Sequence, residues 1–164
     1  MASDSSLLKD LDSDPEVMKY LTDGKPSSDE DIQAATNRML AFKEKFQTRF
    51  GMFMAFEKET QEFIGWFIFR PDKKTPDDLS NIEIGYRLKK KFWGKGFASE
   101  VSQAIVDRGL KDPEIKTIFA TAMKDNNGSQ NVMKKVGLTY VGDYTEEAFP
   151  GVNKTASRYV LEKP

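Results

Sequence analysis

Apolar positions along this chain change period several times, and each change marks an element. In SDPEVMKYL the spacing is short and helical. Ser13 or Asp14 can cap it, Pro15 suits the first turn, and Glu16 favours the positive end of the helix dipole. TDGKPSS, Thr22 to Ser28, breaks the pattern. A longer helix follows, with Ser28 and Asp31 at capping-box spacing and Ile32, Ala35, Met39, Phe42 and Phe46 on one apolar face. After Gly51 the period falls to two, and GMFMAFEKETQEFIGWFIFRP reads as two strands joined by a polar turn around Glu57 to Gln61. In the second of these, Phe63, Phe67 and Phe69 fall on one face and Ile64, Trp66 and Ile68 on the other. Both faces are apolar, which predicts a central strand covered on both sides.

PDKKTPDDLS reads as a polar surface loop and NIEIGYRL as a third strand. The next helix carries Phe97, Val101, Ala104 and Ile105 on one face. KTIFATAM is a strand, and DNNGSQNVMKKVG a loop and short helix with Val132, Met133 and Val136 inward and Gly137 at its C-terminal cap. LTYVGDY and SRYVLEK are the last two strands. The order predicts a mixed α/β sheet whose strand-helix-strand-helix-strand centre is at least partly parallel and right-handed.

Composition narrows the chemistry more than it narrows the fold. The 164 residues suit one domain, 1–164, with a real core, and the formal net charge of -1 gives the whole molecule no bias toward nucleic acid or membrane. MASDSSLLKD lacks a signal-peptide core and no apolar run has the length of a membrane span, so a cytoplasmic protein is expected. There is no cysteine and no histidine. Disulfides, thiolate zinc sites, cysteine nucleophiles, Ser-His pairs and His-ligated metals are thereby removed, and no metal is expected. Proton transfer has to use a carboxylate, tyrosine, lysine, a terminal amine or water.

One stretch concentrates positive charge and flexibility: KKKFWGKGFASE, Lys89 to Glu100. Gly94 and Gly96 sit just before the Phe97 helix, with Lys89, Lys90, Lys91 and Lys95 around them. A helix N-terminus presents unpaired N–H groups and a positive dipole end, and glycine removes side chains that would block a phosphate. Strand, Gly-x-Gly turn and helix therefore make an anion cradle; the plainer alternative is a glycine turn beside solvated lysines. The phosphate-loop pattern GxxxxGK[ST] is absent, and the third glycine of a dinucleotide fingerprint is replaced by Ser99.

Together, IEIGYRLKKKFWGKGFASE and DNNGSQNVMKKVGLTYVGD resemble the GNAT superfamily of acetyl-coenzyme A-dependent N-acetyltransferases, in particular its ribosomal-protein N-terminal (RimJ/RimL-like) branch. The branch pattern reads here as Glu83-Ile84-Gly85-Tyr86, then Trp93 through Glu100, then Asn126, Ser129, Val132, Lys135 and Gly137. The resemblance runs from about Asp14 to the C-terminus. It implies an acyl-CoA N-acyltransferase fold with a mixed, mostly antiparallel sheet flanked by helices. The chain departs from the pattern at three places. Lys91 stands where Gln or Arg usually opens the phosphate motif, and Met133 stands where many relatives have a tyrosine that protonates the leaving thiolate. The family's first strand has no clear counterpart in MASDSSLLKDLD; that edge is absent, truncated or donated by a partner chain, and an unpaired edge would favour a homodimer.

The resemblance also implies a chemistry: acetyl transfer from acetyl-CoA to a primary amine by direct attack, the amine being a protein N-terminus or a small molecule. Backbone groups of Tyr86, Arg87 and Leu88 would pair with the pantetheine arm in a split between NIEIGYRL and KTIFATAM. Lys91, Phe92, Trp93, Gly94, Lys95, Gly96, Phe97 and Ala98 would hold the pyrophosphate, and Asn126 and Ser129 the far side of the cofactor. Glu83 is the candidate general base, and a structural partner of Arg87 is its other reading. Ser129 or water is the fallback proton donor, although Ser129 also reads as a cofactor contact or helix cap. Tyr140 and Tyr144 read as packing residues, Trp66 and Trp93 as core and loop anchors. Asp23, Glu146 and Glu147, on the rim segments TDGKPSS and TEEAFPGVNK, could draw in a cationic amine or be plain surface charge. A coenzyme A-binding sensor without turnover is the non-enzymatic alternative, and a small RNA-associated module a weaker third.

Overall fold

Local signals place most elements where the apolar pattern put them. The computed structural model describes residues 2–163. Its helices are α1 (Ala2–Asp12), α2 (Pro15–Thr22), α3 (Asp29–Phe46), α4 (Phe97–Lys111) and α5 (Asn127–Lys135); its strands are β1 (Gly51–Phe56), β2 (Phe63–Pro71), β3 (Asn81–Leu88), β4 (Thr117–Met123), β5 (Thr139–Thr145) and β6 (Thr155–Glu162). Asp14 is the cap of α2, accepting from Glu16 N at 2.9 Å. Ser28 and Asp31 form the reciprocal capping box of α3, at 3.1 Å in each direction. At the end of α5, Gly137 N donates to Lys134 O and Leu138 N to Met133 O, with Gly137 at φ 89°, so the helix closes in a Schellman motif.

The strands form one sheet in the order β1-β2-β3-β4-β6-β5. Of its pairings only β3–β4 is parallel, so the sheet is mixed and mostly antiparallel, as expected. On one face α4 and α5 cover the main core of Phe69, Ile82, Ile84, Val106, Ile118, Met133 and Tyr159. On the other, α1 and α2 bury Leu11 and Val17 against Phe63 and Trp66. Apolar contact of this kind supplies most of the stability of such short helices. Among the described residues no helix is long and apolar enough to cross a membrane.

Three features differ from the sequence reading. The segment before Asp14, expected at most as a strand, is helix α1, and no strand precedes β1 among the described residues. Leu7, Leu8 and Leu11 give that segment an apolar helical face, with Leu8 and Leu11 buried. Second, the strict alternation of β2 breaks at its start. Ala55 pairs Gly65 but Phe56 pairs Phe63, so Ile64 is a bulged residue and joins Phe67, while Phe63 joins Trp66. Only glycine fits at 65, because φ is 152° and an added Cβ would lie 2.1 Å from the Arg87 carbonyl oxygen. Third, Phe97, Val101 and Ile105 of the expected α4 face pack against the cluster of Phe67, Leu88 and Phe92, but Ala104 is exposed and the fully buried stripe is Ser102, Val106 and Gly109.

Candidate active site

The two parallel strands at the centre of the sheet part company halfway along. β3 and β4 are laddered only at Asn81↔Thr117, Ile82↔Ile118 and Glu83↔Phe119. Beyond Glu83, β3 stays paired with β2 as far as Leu88, and β4 with β6 as far as Met123, so each strand leaves its inner edge without a strand partner. Edges of this kind carry free N–H and C=O groups that an extended ligand can pair with. Two cavities lie along the opening, of about 430 and 580 Å³, and they meet at Tyr20, Tyr86, Arg87, Asn126 and Ser129. The result is one long cleft.

One end of the cleft is built from backbone. Leu88, Phe92, Trp93, Gly94, Gly96, Ala98 and Ser99 line it, facing Asn126, Gly128 and Ser129 from the start of α5 and Lys135 from its last turn. Gly94 and Gly96 have φ of 73° and 92°, and a Cβ at either would meet no protein atom within 4 Å. Gly96 caps α4 with no side chain bonded to the first turn, so the 15-residue helix presents its opening N–H groups unclaimed. The Trp93 indole donates to Leu88 O at 2.9 Å and ties the turn to the end of β3, which is the anchoring role expected for it. These donors, the open space and the facing Lys135 fit a pyrophosphate.

The lysines expected there behave differently. Lys91 pairs with Glu62, Lys89 pairs with Asp10 at 2.5 Å, and Lys95 lies over the Phe92 ring at 5.7 Å. Phe92 is buried in the turn Lys90–Phe92, and the lysine beside it faces outward. Phe97 packs edge-on against Phe92 at 5.5 Å and does not line the cavity. Lys135 is the lysine that does.

The other end is built from side chains that converge from several elements: Tyr20, Trp66, Arg70, Lys73, Glu83, Arg87, Tyr144, Glu146 and Phe149. Glu83 pairs with Arg70, directly opposite on β2, rather than with Arg87. Nε and Nη2 of Arg70 approach Oε2 at 3.0 and 2.7 Å, and Oε1 takes no part in the pair. Arg87 instead pairs with the buried Asp12 at the end of α1, and its guanidinium stacks over Trp66 at 5.0 Å. Ser27 Oγ donates to the second Asp12 oxygen at 2.6 Å. Of the rim acids, Glu146 lines the cleft, while Asp23 and Glu147 do not.

Between the two ends, burial pushes the Tyr86 phenol above its ordinary pKa, and a hydrogen bond with Ser129 only partly offsets this. Asn126 is the N-cap of α5, its Oδ1 accepting from Ser129 N at 3.1 Å, so Ser129 is not itself the cap. Met133 is buried in the core and lines the cleft. Tyr144, read as packing, also lines it and reaches Glu146 Oε2 at 3.3 Å. Its phenol too is raised, first by burial and then by the Glu146 charge, against a bond to Thr121. Tyr140 is exposed and rests edge-on against Tyr159, as a packing residue would.

The comparisons with known proteins converge. Residues 2–139 match the acetyltransferase (GNAT) domain family. The chain belongs to that family. A curated relative, the FsC-acetyl coenzyme A-N(2)-transacetylase of Aspergillus fumigatus, is 31% identical over 161 residues, covering 93% of this chain and 67% of its own length. Among solved structures, a GNAT-family acetyltransferase from Bacillus anthracis superposes with a TM-score of 0.78 at 25% identity, over 99% of this chain and 90% of that one. An acetyltransferase from Salmonella typhimurium that modifies the N-terminal serine of ribosomal protein L7/L12 also gives 0.78, at 18% identity, over 100% and 92% of the two chains. This acetyltransferase thus carries its parted strands and glycine turn on a GNAT fold.

Proposed function

We propose that this acetyltransferase moves an acetyl group from acetyl-CoA to a primary amine, by direct attack and without a covalent enzyme intermediate. The observation that carries the reading is the opening between β3 and β4, with an uncapped, glycine-lined helix N-terminus at one end and the Glu83 carboxylate at the other. The name of the Aspergillus relative specifies acetyl coenzyme A as its donor, which supports the same donor here. Bound acetyl-CoA supplies an activated thioester. The amides from Phe92 to Ala98 hold its pyrophosphate, backbone groups of Tyr86 to Leu88 pair with its arm, and Asn126 and Ser129 meet its far side.

The acceptor must reach the thioester as a neutral amine. At pH 7 deprotonation costs about 4–5 kcal/mol for a lysine-like amine near pKa 10.4, but only about 1 for an α-amine near 7.8. An α-amine therefore needs little help, which favours a peptide N-terminus, as in the RimJ/RimL-like branch, or a small amine of low basicity. Glu83 is the proton acceptor: Arg70 fixes one oxygen and leaves Oε1 to take the proton. With methionine at 133, the proton donor moves to the Tyr86–Ser129 pair, two hydroxyls at the junction of the cleft that can donate to a departing sulfur. Neither step needs imidazole or thiol, in keeping with a chain that has neither. We place the reaction in the cytoplasm.

Calorimetric titration with acetyl-CoA tests the donor assignment, on wild type and on Gly96→Glu. The variant forces a side chain onto φ 92° and sets a carboxylate against the phosphate site, so its affinity should fall at least about 100-fold. A wild type that shows no binding overturns the reading.

A further inference from the structure

Helix α4 presents three buried residues to the sheet, Ser102, Val106 and Gly109, at the spacing of one helical face. Two of them do ordinary packing. Val106 belongs to the main core, and Gly109 lets the sheet approach so closely that a Cβ there would lie 2.7 Å from Phe69 Cζ and 2.9 Å from Ile118 Cδ1. The third is a serine. It is 2% exposed, and its Oγ has no hydrogen-bond partner. A helical hydroxyl usually reaches back to the carbonyl one turn earlier. Thr36 in α3 does so, to Ile32 O at 2.9 Å, and Ser102 does not.

The position explains why this hydroxyl is tolerated. Ser102 is one turn nearer the helix N-terminus than Val106, and it lines the cleft together with Ile84 and Ala120. Those two are the first residues beyond the last ladder pair, Glu83↔Phe119. The buried stripe thus meets intact sheet at Val106 and Gly109, and the opening between the strands at Ser102. The other buried side-chain atom without a partner among the described residues is Arg87 Nε, on the same cleft, but Arg87 already holds Asp12 and stacks on Trp66. Unpartnered buried polar atoms in native proteins call for a ligand or a water.

We propose that Ser102 binds the pantetheine arm of the donor, its hydroxyl hydrogen-bonding an amide oxygen of the arm from the α4 side of the sheet. The proposal rests on the acetyl-CoA reading above. The test is Ser102→Ala, titrated against coenzyme A and against adenosine 3′,5′-bisphosphate, which has phosphates and adenine but no pantetheine. Thermal melting of the ligand-free protein is recorded alongside. The Kd for coenzyme A should rise about three- to tenfold, the usual worth of one hydrogen bond, while the bisphosphate Kd stays put. The ligand-free Tm should hold or rise, since the variant removes an unsatisfied buried hydroxyl. Unchanged coenzyme A affinity, equal weakening of both ligands, or a lowered Tm each overturns the role of Ser102. A wild type that binds neither compound overturns the acetyl-CoA reading, and this proposal with it.

Discussion

The two ends of the cleft are made in different ways. The cradle end is local: Trp93 bonds back to Leu88, five residues away, and Asn126 caps the amide of Ser129, three residues on. The Glu83 end is assembled at long range. Glu83 meets Arg70 from a neighbouring strand, Arg87 meets Asp12 across 75 positions, and Phe149 packs with Met123, Ala156 and Tyr20 from three other parts of the chain. A site made of backbone and nearby caps recognises what is common to a cofactor. A site made of converging side chains can differ from one family member to the next, which suits the end where we propose that the acceptor binds.

Three substitutions press on that difference. Glu83→Gln, at the long-range end, should lower kcat by about 10³-fold, or about 4 kcal/mol in the barrier, while the Kd for acetyl-CoA stays within about twofold. Steady-state rates and calorimetry on one preparation would show it; an equal loss of binding would make Glu83 structural. Asp12→Ala strips the buried Arg87 of its counter-ion, and about 3 kcal/mol of stability should go with it in urea unfolding. A change under about 1 kcal/mol would mean that the pair does not organise this end. Asn126→Ala removes a single local cap, and the expected loss is about 1 kcal/mol of stability with a few-fold weaker acetyl-CoA binding. Should Asn126→Ala prove costlier than Asp12→Ala, the contrast between a local and a long-range end would be reversed.

The same contrast separates the features that are legible in the amino-acid sequence from those that are not. The capping box at Ser28 and Asp31, the Schellman glycine at 137 and the Gly-x-Gly turn all act within a few residues, and each lies where its motif indicates. Features that depend on pairing are hidden. No local rule distinguishes Arg87 from Arg70 as the partner of Glu83, because strand register decides it. The bulge at Ile64 switches faces through the approach of the Arg87 carbonyl to Gly65, a contact 22 residues away in the chain. Ser102 escapes notice because a serine in a helix reads as polar surface, and only the parting of β3 and β4 gives it a buried role. Helix α1 has a usable signal in Leu7, Leu8 and Leu11, obscured by the polar residues around them. Lys89, Lys91 and Lys95 do supply positive charge near the turn, but their side chains find Asp10, Glu62 and the Phe92 ring instead of the cleft.

The tie between Asp12 and Arg87 also sets an order of events during synthesis. Asp12 leaves the ribosome 75 residues ahead of Arg87, so this carboxylate has no ion-pair partner until β3 has been made. Closing a loop of that length carries an entropic cost that only a formed sheet can repay. The β1–β2–β3 meander can assemble first, from neighbours in the chain. The N-terminal helix then docks over it, burying the arginine that reaches both halves of the cleft. A segment translated well before its partner is thus a latch set late, and the cleft acquires its final shape only when that latch closes.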